Sequence, residues 1–354
     1  METIEFEFKA LPWNIVFGRN ALRRLPQALS QFGFRKALVL STPGQREQAQ
    51  QVAVLIGDHC AGIFSEAKMH VPVATYQQAL AEVQRSGADC SVTVGGGSTT
   101  GLGKILALKA KLPFIAVPTT YAGSEMTNIW GLTDRGTKRT GRDIKVVPLL
   151  TLYDPELTLA LPAGITGSSG MNAMAHAVVT VMAEKRNPVI SALAEQAIRA
   201  LASSLPVLVK AGNNLEARTQ ALYGACLAGA ALGAGTTGIH HRLCHILGGT
   251  YHTPHADTHA ILLPHTIAYN SRAVPEGAGR VAAAMNCESA AQGMYELLMG
   301  ICSRTSLSDI GITENDINDI AGLATQTPCQ NPEPVTTERI NVLLKNACHG
   351  IRPQ

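Results

Sequence analysis

Seven of the chain's eleven histidines fall between residues 236 and 270, in the run TTGIHHRLCHILGGTYHTPHADTHAILLPHTIAYN. They are His240, His241, His245, His252, His255, His259 and His265. A group of imidazoles can hold a metal, donate to a developing oxyanion, or bind a carboxylate when protonated. His241 and His245 are four residues apart and share a face of a helix, which Gly248 and Gly249 can end. Thr253 and Pro254 predict an extended turn that presents His255 from a loop. Upstream, Asn172 and His176 make a second i,i+4 polar pair inside the small, apolar run GMNAMAH. Two helical pairs and one loop histidine can converge on a common point. The remaining His240, His252, His259 and His265 read as structural, and Cys244 as a packing residue.

A second group of residues suits a phosphate. Residues 92–104, VTVGGGSTTGLGK, read as a strand, a glycine turn and a helix start. Glycines let the backbone approach a phosphate closely, and a helix N-terminus offers N–H groups and the positive end of the dipole. Ser98 and Thr99 add hydroxyls. The spacing is neither G-x-G-x-x-G after the first strand nor GK[ST]. A second hydroxyl-rich turn, Pro118-Thr119-Thr120-Tyr121-Ala122-Gly123-Ser124, follows the next strand. Two such turns at neighbouring strand ends predict a dinucleotide crevice. The turn Ser41-Thr42-Pro43 carries no acid for a ribose 2′-hydroxyl, and Arg46 is near it, so NADH and NADPH both remain open. Lys104 reads as facing solvent or a phosphate.

These residues need a scaffold. The 354 residues suit two domains better than one. Up to residue 153, β-type runs (14–18, 35–40, 62–64, 90–94, 114–117, 150–153) alternate with helical ones (21–32, 45–56, 73–86, 99–109). That alternation predicts a parallel sheet covered on both faces. Residues 4–8 alternate apolar with acidic and predict an edge strand, the one hint of a pairing surface. Residues 138–148 have strand-and-turn character. From residue 166 the period is helical, with helices expected over 168–183, 188–205, 214–234, 236–247 and 337–348 among others. The boundary is placed near 160, giving an α/β domain over 1–160 and a helical domain over 161–354.

Composition narrows the function. The chain is 46% hydrophobic and 16% charged, with 33 glycines and a formal charge of +3. With no basic run, this argues against nucleic acid and membrane surfaces. The acidic, alternating N-terminus lacks signal-peptide features. Eight cysteines without a CxxC pair read as reduced thiols of a cytoplasmic protein.

Together GGGSTTGLGK, VPTTYAGSEMT, LYDPELT, SGMNAMAHAV, HHRLCHILGGTY and PHADTHAILLPH resemble the maleylacetate reductases of the iron-containing (group III) alcohol dehydrogenase superfamily, over roughly residues 5 to 350. The resemblance implies an α/β dinucleotide domain, an all-α C-terminal domain, an active site in the cleft between them and a homodimer, in a fold shared with dehydroquinate synthases. It implies NADH- or NADPH-dependent reduction of maleylacetate to 3-oxoadipate in bacterial aromatic degradation. By position it assigns Gly95, Gly96, Gly97 and Ser98 to the pyrophosphate. Thr119, Thr120, Ser124, Thr127 and Ser41 would serve the rest of the cofactor. Metal-dependent relatives use an aspartate and three histidines, which fall on Asn172, His176, His241 and His255. His245 matches a histidine near the nicotinamide. An amide is a poorer ligand than a carboxylate, so no tightly bound metal is expected.

Maleylacetate is a dianion whose C=C bond is conjugated to a ketone. Hydride added to the alkene carbon β to the ketone leaves an enolate, protonated at the α carbon. His241, His245 and His255 would bind and polarise the substrate and supply the proton, with His176 orienting them. A charged imidazole cluster would receive the carboxylates. Asn172, Arg242, His70 and Tyr121 are further substrate candidates. The alternatives are a metal-dependent dehydrogenase of a small alcohol or aldehyde, a zinc lyase of the dehydroquinate-synthase type, and a non-catalytic dinucleotide-binding protein.

Overall fold

The structure, a computed structural model, describes residues 5–134, 137–184, 187–235 and 237–354. It divides into two compact units, Ala10–Leu161 and Pro162–Gln354, the second also taking Met1–Lys9.

The first unit runs β1 (Ile15–Phe17), α1 (Leu25–Gln31), β2 (Ala37–Leu40), α2 (Arg46–Ile56), β3 (Cys60–Phe64), α3 (Val73–Ser86), β4 (Cys90–Gly95), α4 (Gly97–Ala110) and β5 (Phe114–Pro118). It continues through β6 (Ile129–Asp134), β7 (Thr137–Arg142) and β8 (Leu150–Tyr153). Six strands form a parallel sheet in the order β1-β8-β5-β4-β2-β3. Successive side chains of a strand point to opposite faces, and both faces here are covered. Val39, Val92, Val94 and Ile115 pack with Leu25 and Leu29 of α1, while Leu38 and Leu40 pack with Leu102, Ile105 and Leu106 of α4. Burial on both sides explains why these strands read as short unbroken apolar runs.

The sequence reading passed over β6. Its residues, IWGLTD, are mostly half-buried; it pairs with β7 in an antiparallel hairpin and touches Pro72 through a single parallel bridge at Thr133, outside the six-stranded sheet, so it lacks the apolar run of the sheet interior. The expected strand at 4–8 is not formed where the chain is described. Ile4 lies outside the described residues, and residues 5–8 have no strand partner. Alternation is necessary for a strand, but a ladder also needs a neighbour.

The second unit is helical: α5 (Ala163–Val181), α6 (Pro188–Lys210), α7 (Leu215–Ala234), α8 (Ile239–Thr250), α9 (His255–Ser271), α10 (Pro275–Met285), α11 (Ala290–Ile301), α12 (Glu314–Thr325) and α13 (Thr337–Cys348). Gly, Ser and Ala fill much of α5, which lets α6, α7 and α9 pack around it. Among single helices of the described residues, α6 alone is long and apolar enough to cross a membrane. Its Ile190, Ala194, Ile198, Leu201 and Leu205 are buried, and it packs on α5, α7 and α10, as a core helix of the bundle.

Candidate active site and metal centre

In the α/β unit the two hydroxyl-rich turns meet. β4 and β5 are neighbours with Gly95 opposite Pro118, and the Thr119 amide donates to Gly95 O at 3.1 Å. Gly95 has φ +152°, and a Cβ there would lie 2.5 Å from Gln45 Oε1 and from Thr99 Oγ1. α4 begins at Gly97, two residues before the predicted start, so its first N–H groups open directly onto the glycine turn. Thr99 Oγ1 is buried without a hydrogen-bond partner. A close-approach glycine, a helix N-terminus and a buried hydroxyl without a partner fit a dinucleotide phosphate. Ser98 and Thr120 are half-buried at this place.

Gln45 escaped the sequence reading because its role depends on tertiary contact. Its Nε2 donates to Thr119 Oγ1 at 2.6 Å, and its Oε1 accepts from Thr42 Oγ1 at 3.1 Å, tying the turn after β2 to the turn after β5. Ser41 is fully buried and donates to Ser65 Oγ at 2.9 Å. Lys104 does not face solvent or phosphate. It is 1% exposed, and its Nζ donates to Thr127 O (2.8 Å), Thr127 Oγ1 (2.9 Å) and Ile129 O (2.8 Å). Burial lowers its pKa to about 7 against the opposing pull of buried Glu125. The Thr127 hydroxyl donates to Ser124 O, so Lys104, Thr127 and Ser124 form one support beneath the loop. Tyr121 is fully buried. His70 has φ +61°, and its carbonyl accepts from Thr133 Oγ1 at 2.8 Å.

In the helical unit, the rotation of α8 is fixed by an apolar stripe. Ile239, Leu243 and Leu247 recur every four residues and pack with Ile261 and Leu262 of α9 and Ile320 of α12, leaving His241 and His245 to another face. α8 starts at Ile239; Thr236, the predicted start, lies outside the described residues. His255 is not on a loop: it is the first residue of α9. His255 and His259 are therefore a third i,i+4 pair, hidden from the sequence reading by the assumption that Pro254 opened a loop rather than a helix.

The cluster is dense. The His241 ring lies 5.6 Å from His176, 5.0 Å from His259, 5.4 Å from His240 and 6.3 Å from His245, centroid to centroid. His255 lies 4.5 Å from His259, which is 5.9 Å from His176. His176, His241 and Asn172 are buried, His255 is half-buried and His245 is exposed. Both ring nitrogens of His241, Nδ1 of His176 and Nε2 of His259 are buried without hydrogen-bond partners.

Burial pushes His176 down to about 4. His241 and His259 are pushed well below the ordinary histidine range, by burial first and then by neighbouring imidazoles. Burial therefore disfavours the positive charge expected of the cluster at His176, His241 and His259. At neutral pH they are uncharged, which is the state that ligates metals.

Two further expectations change. His240, Cys244 and His259 are buried and offer one ligand atom each, all within 4.8 Å of one another. This overturns the expectation of no tightly bound metal: the chain carries a preformed group of metal-binding side chains despite Asn172. The neutral imidazoles, their nitrogens without partners and this His/Cys group all fit a divalent transition metal. Arg242 is drawn away from the cluster's chemistry, since its guanidinium donates to the carbonyls of Ala324 (3.1 Å), Thr327 and Pro328 (2.8 Å), binding the end of α12. A substrate carboxylate would have to displace these bonds.

The depressed histidines predict acid sensitivity. Unfolded, each takes up a proton near 6.5; folded, His176 and His265 do so only near 4. The unfolded chain thus binds more protons between those values. Their stabilisation is complete above 6.5 and is lost as pH falls towards 4. His176 alone contributes on the order of 3 kcal/mol. Urea unfolding of chelator-treated protein is expected to show a midpoint that drops steeply from pH 6.5 to 4.5, and a flat midpoint over that range contradicts the burial argument.

Comparison with known proteins agrees with this architecture. The description "Iron-containing alcohol dehydrogenase" matches residues 12–155, and "Fe-containing alcohol dehydrogenase family, C-terminal" matches residues 166–348. The chain is 48% identical over 350 residues to a maleylacetate reductase of Sphingobium indicum, covering 99% of each chain. It is 47% identical to one of Burkholderia cepacia, over 98% of this chain and 99% of that one. The crystal structure of maleylacetate reductase from Agrobacterium tumefaciens superposes with a TM-score of 0.94 at 43% identity, covering 99% of this chain and 100% of that one. A metal-binding imidazole cluster and a phosphate-fitting glycine turn thus occur in a chain that matches these reductases from end to end: it belongs to the iron-containing alcohol dehydrogenase family, among its maleylacetate reductases.

Proposed function

We propose that the protein reduces the C=C bond of maleylacetate to give 3-oxoadipate, consuming NADH or NADPH, in the catabolism of aromatic compounds. The observation that carries this reading is 48% identity across 99% of both chains to a maleylacetate reductase. The two units hold the parts the reaction needs. Gly95, Gly96, Gly97 and Ser98, with Thr119 and Thr120 beside them, bind and orient the dinucleotide through backbone N–H groups and hydroxyls. A divalent metal would be held within this imidazole cluster, where His240, Cys244 and His259 offer ligand atoms within 4.8 Å of one another, and when bound it would supply a Lewis acid and the positive charge that a dianionic substrate requires.

Hydride is added at the alkene carbon β to the ketone, the π pair moves into an enolate, and a proton completes the α carbon. Because the buried imidazoles are neutral, proton donation falls to the one exposed member, His245, whose ring lies 6.3 Å from His241. Asn172 supplies an uncharged amide beside the histidines, sparing the substrate's carboxylates a buried negative neighbour. His70, Tyr121 and Arg242 remain candidates for substrate contact, with Arg242 first needing release from the α12 carbonyls. We further propose a cytoplasmic homodimer. The eight cysteines, none of them paired in a disulfide, support a reducing compartment, and β1 at the edge of the sheet supports pairing between copies.

Loss of the metal provides a test. Purified enzyme is expected to consume NADH or NADPH when given maleylacetate. Exhaustive chelation should lower kcat by about 100-fold or more, with recovery on adding Fe²⁺ or Zn²⁺. Consumption with small aldehydes but not with maleylacetate would instead place the protein with the alcohol dehydrogenases of the family.

A further inference from the structure

A buried lysine is costly, because its ammonium leaves water for partners that must replace each lost hydrogen bond. Lys104 lies about two turns into α4, counted from Gly97, and is 1% exposed. Its Nζ has three acceptors, Thr127 O, Thr127 Oγ1 and Ile129 O, and none is a carboxylate. The Thr127 hydroxyl donates to Ser124 O at 3.0 Å, so its oxygen accepts from Lys104 and all three ammonium protons are placed. The counter-charge stands apart. Glu125 is 2% exposed and accepts from the Tyr153 hydroxyl at 2.7 Å. Burial pushes its carboxyl up, against its own backbone hydrogen bond, the Tyr153 hydroxyl and the Lys104 charge. Replacing a buried pair of charges by apolar side chains is often neutral or stabilising. The pair is therefore a weak stability device, and its geometry suits the placement of backbone instead.

The backbone that Lys104 places is the loop leaving β5. Four consecutive carbonyls of that loop are held one by one. Met126 O accepts from Trp13 Nε1 at 2.8 Å, Thr127 O from Lys104, Asn128 O from the Asp143 amide at 2.9 Å, and Ile129 O from Lys104. At its start the loop is tied through Thr119 to Gly95 and to Gln45. Thr120, Tyr121 and Ser124 lie between these anchored ends. One helix thus serves both sides of the crevice: the N-terminus of α4 opens on the glycine turn, and its Lys104 holds the neighbouring loop. We propose that Lys104, with Glu125 as its buried counter-charge, is a positioning residue for the dinucleotide, locking the 119–129 loop to α4 so that the helix N-terminus and the loop's hydroxyls keep one spacing around the coenzyme. The proposal rests on the dinucleotide reading above and deepens it.

The full-length protein would be titrated with NADH and with NADPH, followed by coenzyme fluorescence, and melted under circular dichroism. Lys104→Met keeps the length and removes the charge and the donors. It is expected to raise the Kd of the coenzyme that the parent binds by about 30-fold. Turnover of maleylacetate at saturating coenzyme should stay within about 3-fold. Its Tm should fall, since three acceptors and Glu125 lose their partner. The double variant Lys104→Met/Glu125→Gln separates placement from stability. With both charges gone it is expected to recover Tm relative to Lys104→Met, while Kd stays raised by about 30-fold because the loop carbonyls remain unheld. A Kd that returns to the parent's value together with Tm, or a parent-like Kd in Lys104→Met, overturns the proposal. If Lys104→Met does not fold, the double variant decides. If neither folds, hydrogen exchange of the parent decides: the amides of 119–129 are expected to gain protection on coenzyme binding, and unchanged protection overturns the proposal. A parent that binds neither coenzyme overturns the dinucleotide reading and this proposal with it, whereas a parent that binds one, with variants that bind it equally well, overturns this proposal alone.

Discussion

His241→Ala enzyme is expected to lose about 10³-fold in kcat/KM for maleylacetate while its affinity for NADH stays within a few-fold. His241 sits at the middle of the cluster, with rings at 5.0–5.6 Å from His259, His240 and His176. Neither of its ring nitrogens has a hydrogen-bond partner, although the side chain is buried. A buried imidazole in that condition costs stability unless a ligand completes it, because its polar atoms lose water without replacement. Removing it should therefore cost activity far more than stability. Steady-state kinetics with maleylacetate, paired with fluorescence titration of NADH, checks both halves. A kcat/KM within about 10-fold of the parent would move the reaction away from this cluster.

Gly95→Ala is expected to act on the other unit, raising the Kd for NADH by about 100-fold. The backbone there has φ +152°, and the new methyl carbon would meet Gln45 Oε1 and Thr99 Oγ1 at 2.5 Å. Either the glycine turn or the Gln45 bridge to Thr119 must shift, and both border the place where α4 presents its N–H groups. The backbone term alone costs about 1–3 kcal/mol. Metal binding in the helical unit should be unchanged, which separates this effect from general unfolding. An NADH affinity equal to the parent's would show that the dinucleotide does not approach the chain at this glycine.

Legibility in the sequence followed local rules. β8, α3 and α13 fall where patterning places them, because periods of 2 and 3.6 and their capping residues are local. The glycine turn was visible for the same reason. What could not be read was relational. Lys104 looked like a surface cation in a helix, yet it is held by the carbonyls of Thr127 and Ile129, and β6 carried no strand signal that announced those acceptors. Gln45 and His259 matter only through partners 74 and 19 residues away. The lost site element, the His255/His259 pair, turned on Pro254. In the sequence it reads as a loop marker, but a proline is equally suited to the residue before a helix, where its missing N–H costs nothing. The expectation of no metal followed from weighing one residue, Asn172, without the donors that stand beside it in space.

The most direct measurement of the central claim is where hydride lands. Maleylacetate would be reduced with NADH deuterated at both C4 positions, and the 3-oxoadipate examined by NMR. The account predicts one deuterium at C5, the methylene beside the far carboxylate, where it cannot exchange through the ketone. Protium from solvent should appear at C4. Deuterium on the carbon that bore the ketone, in a hydroxy product with the alkene retained, would mean carbonyl reduction and would contradict the assignment of this enzyme as a reducer of the C=C bond.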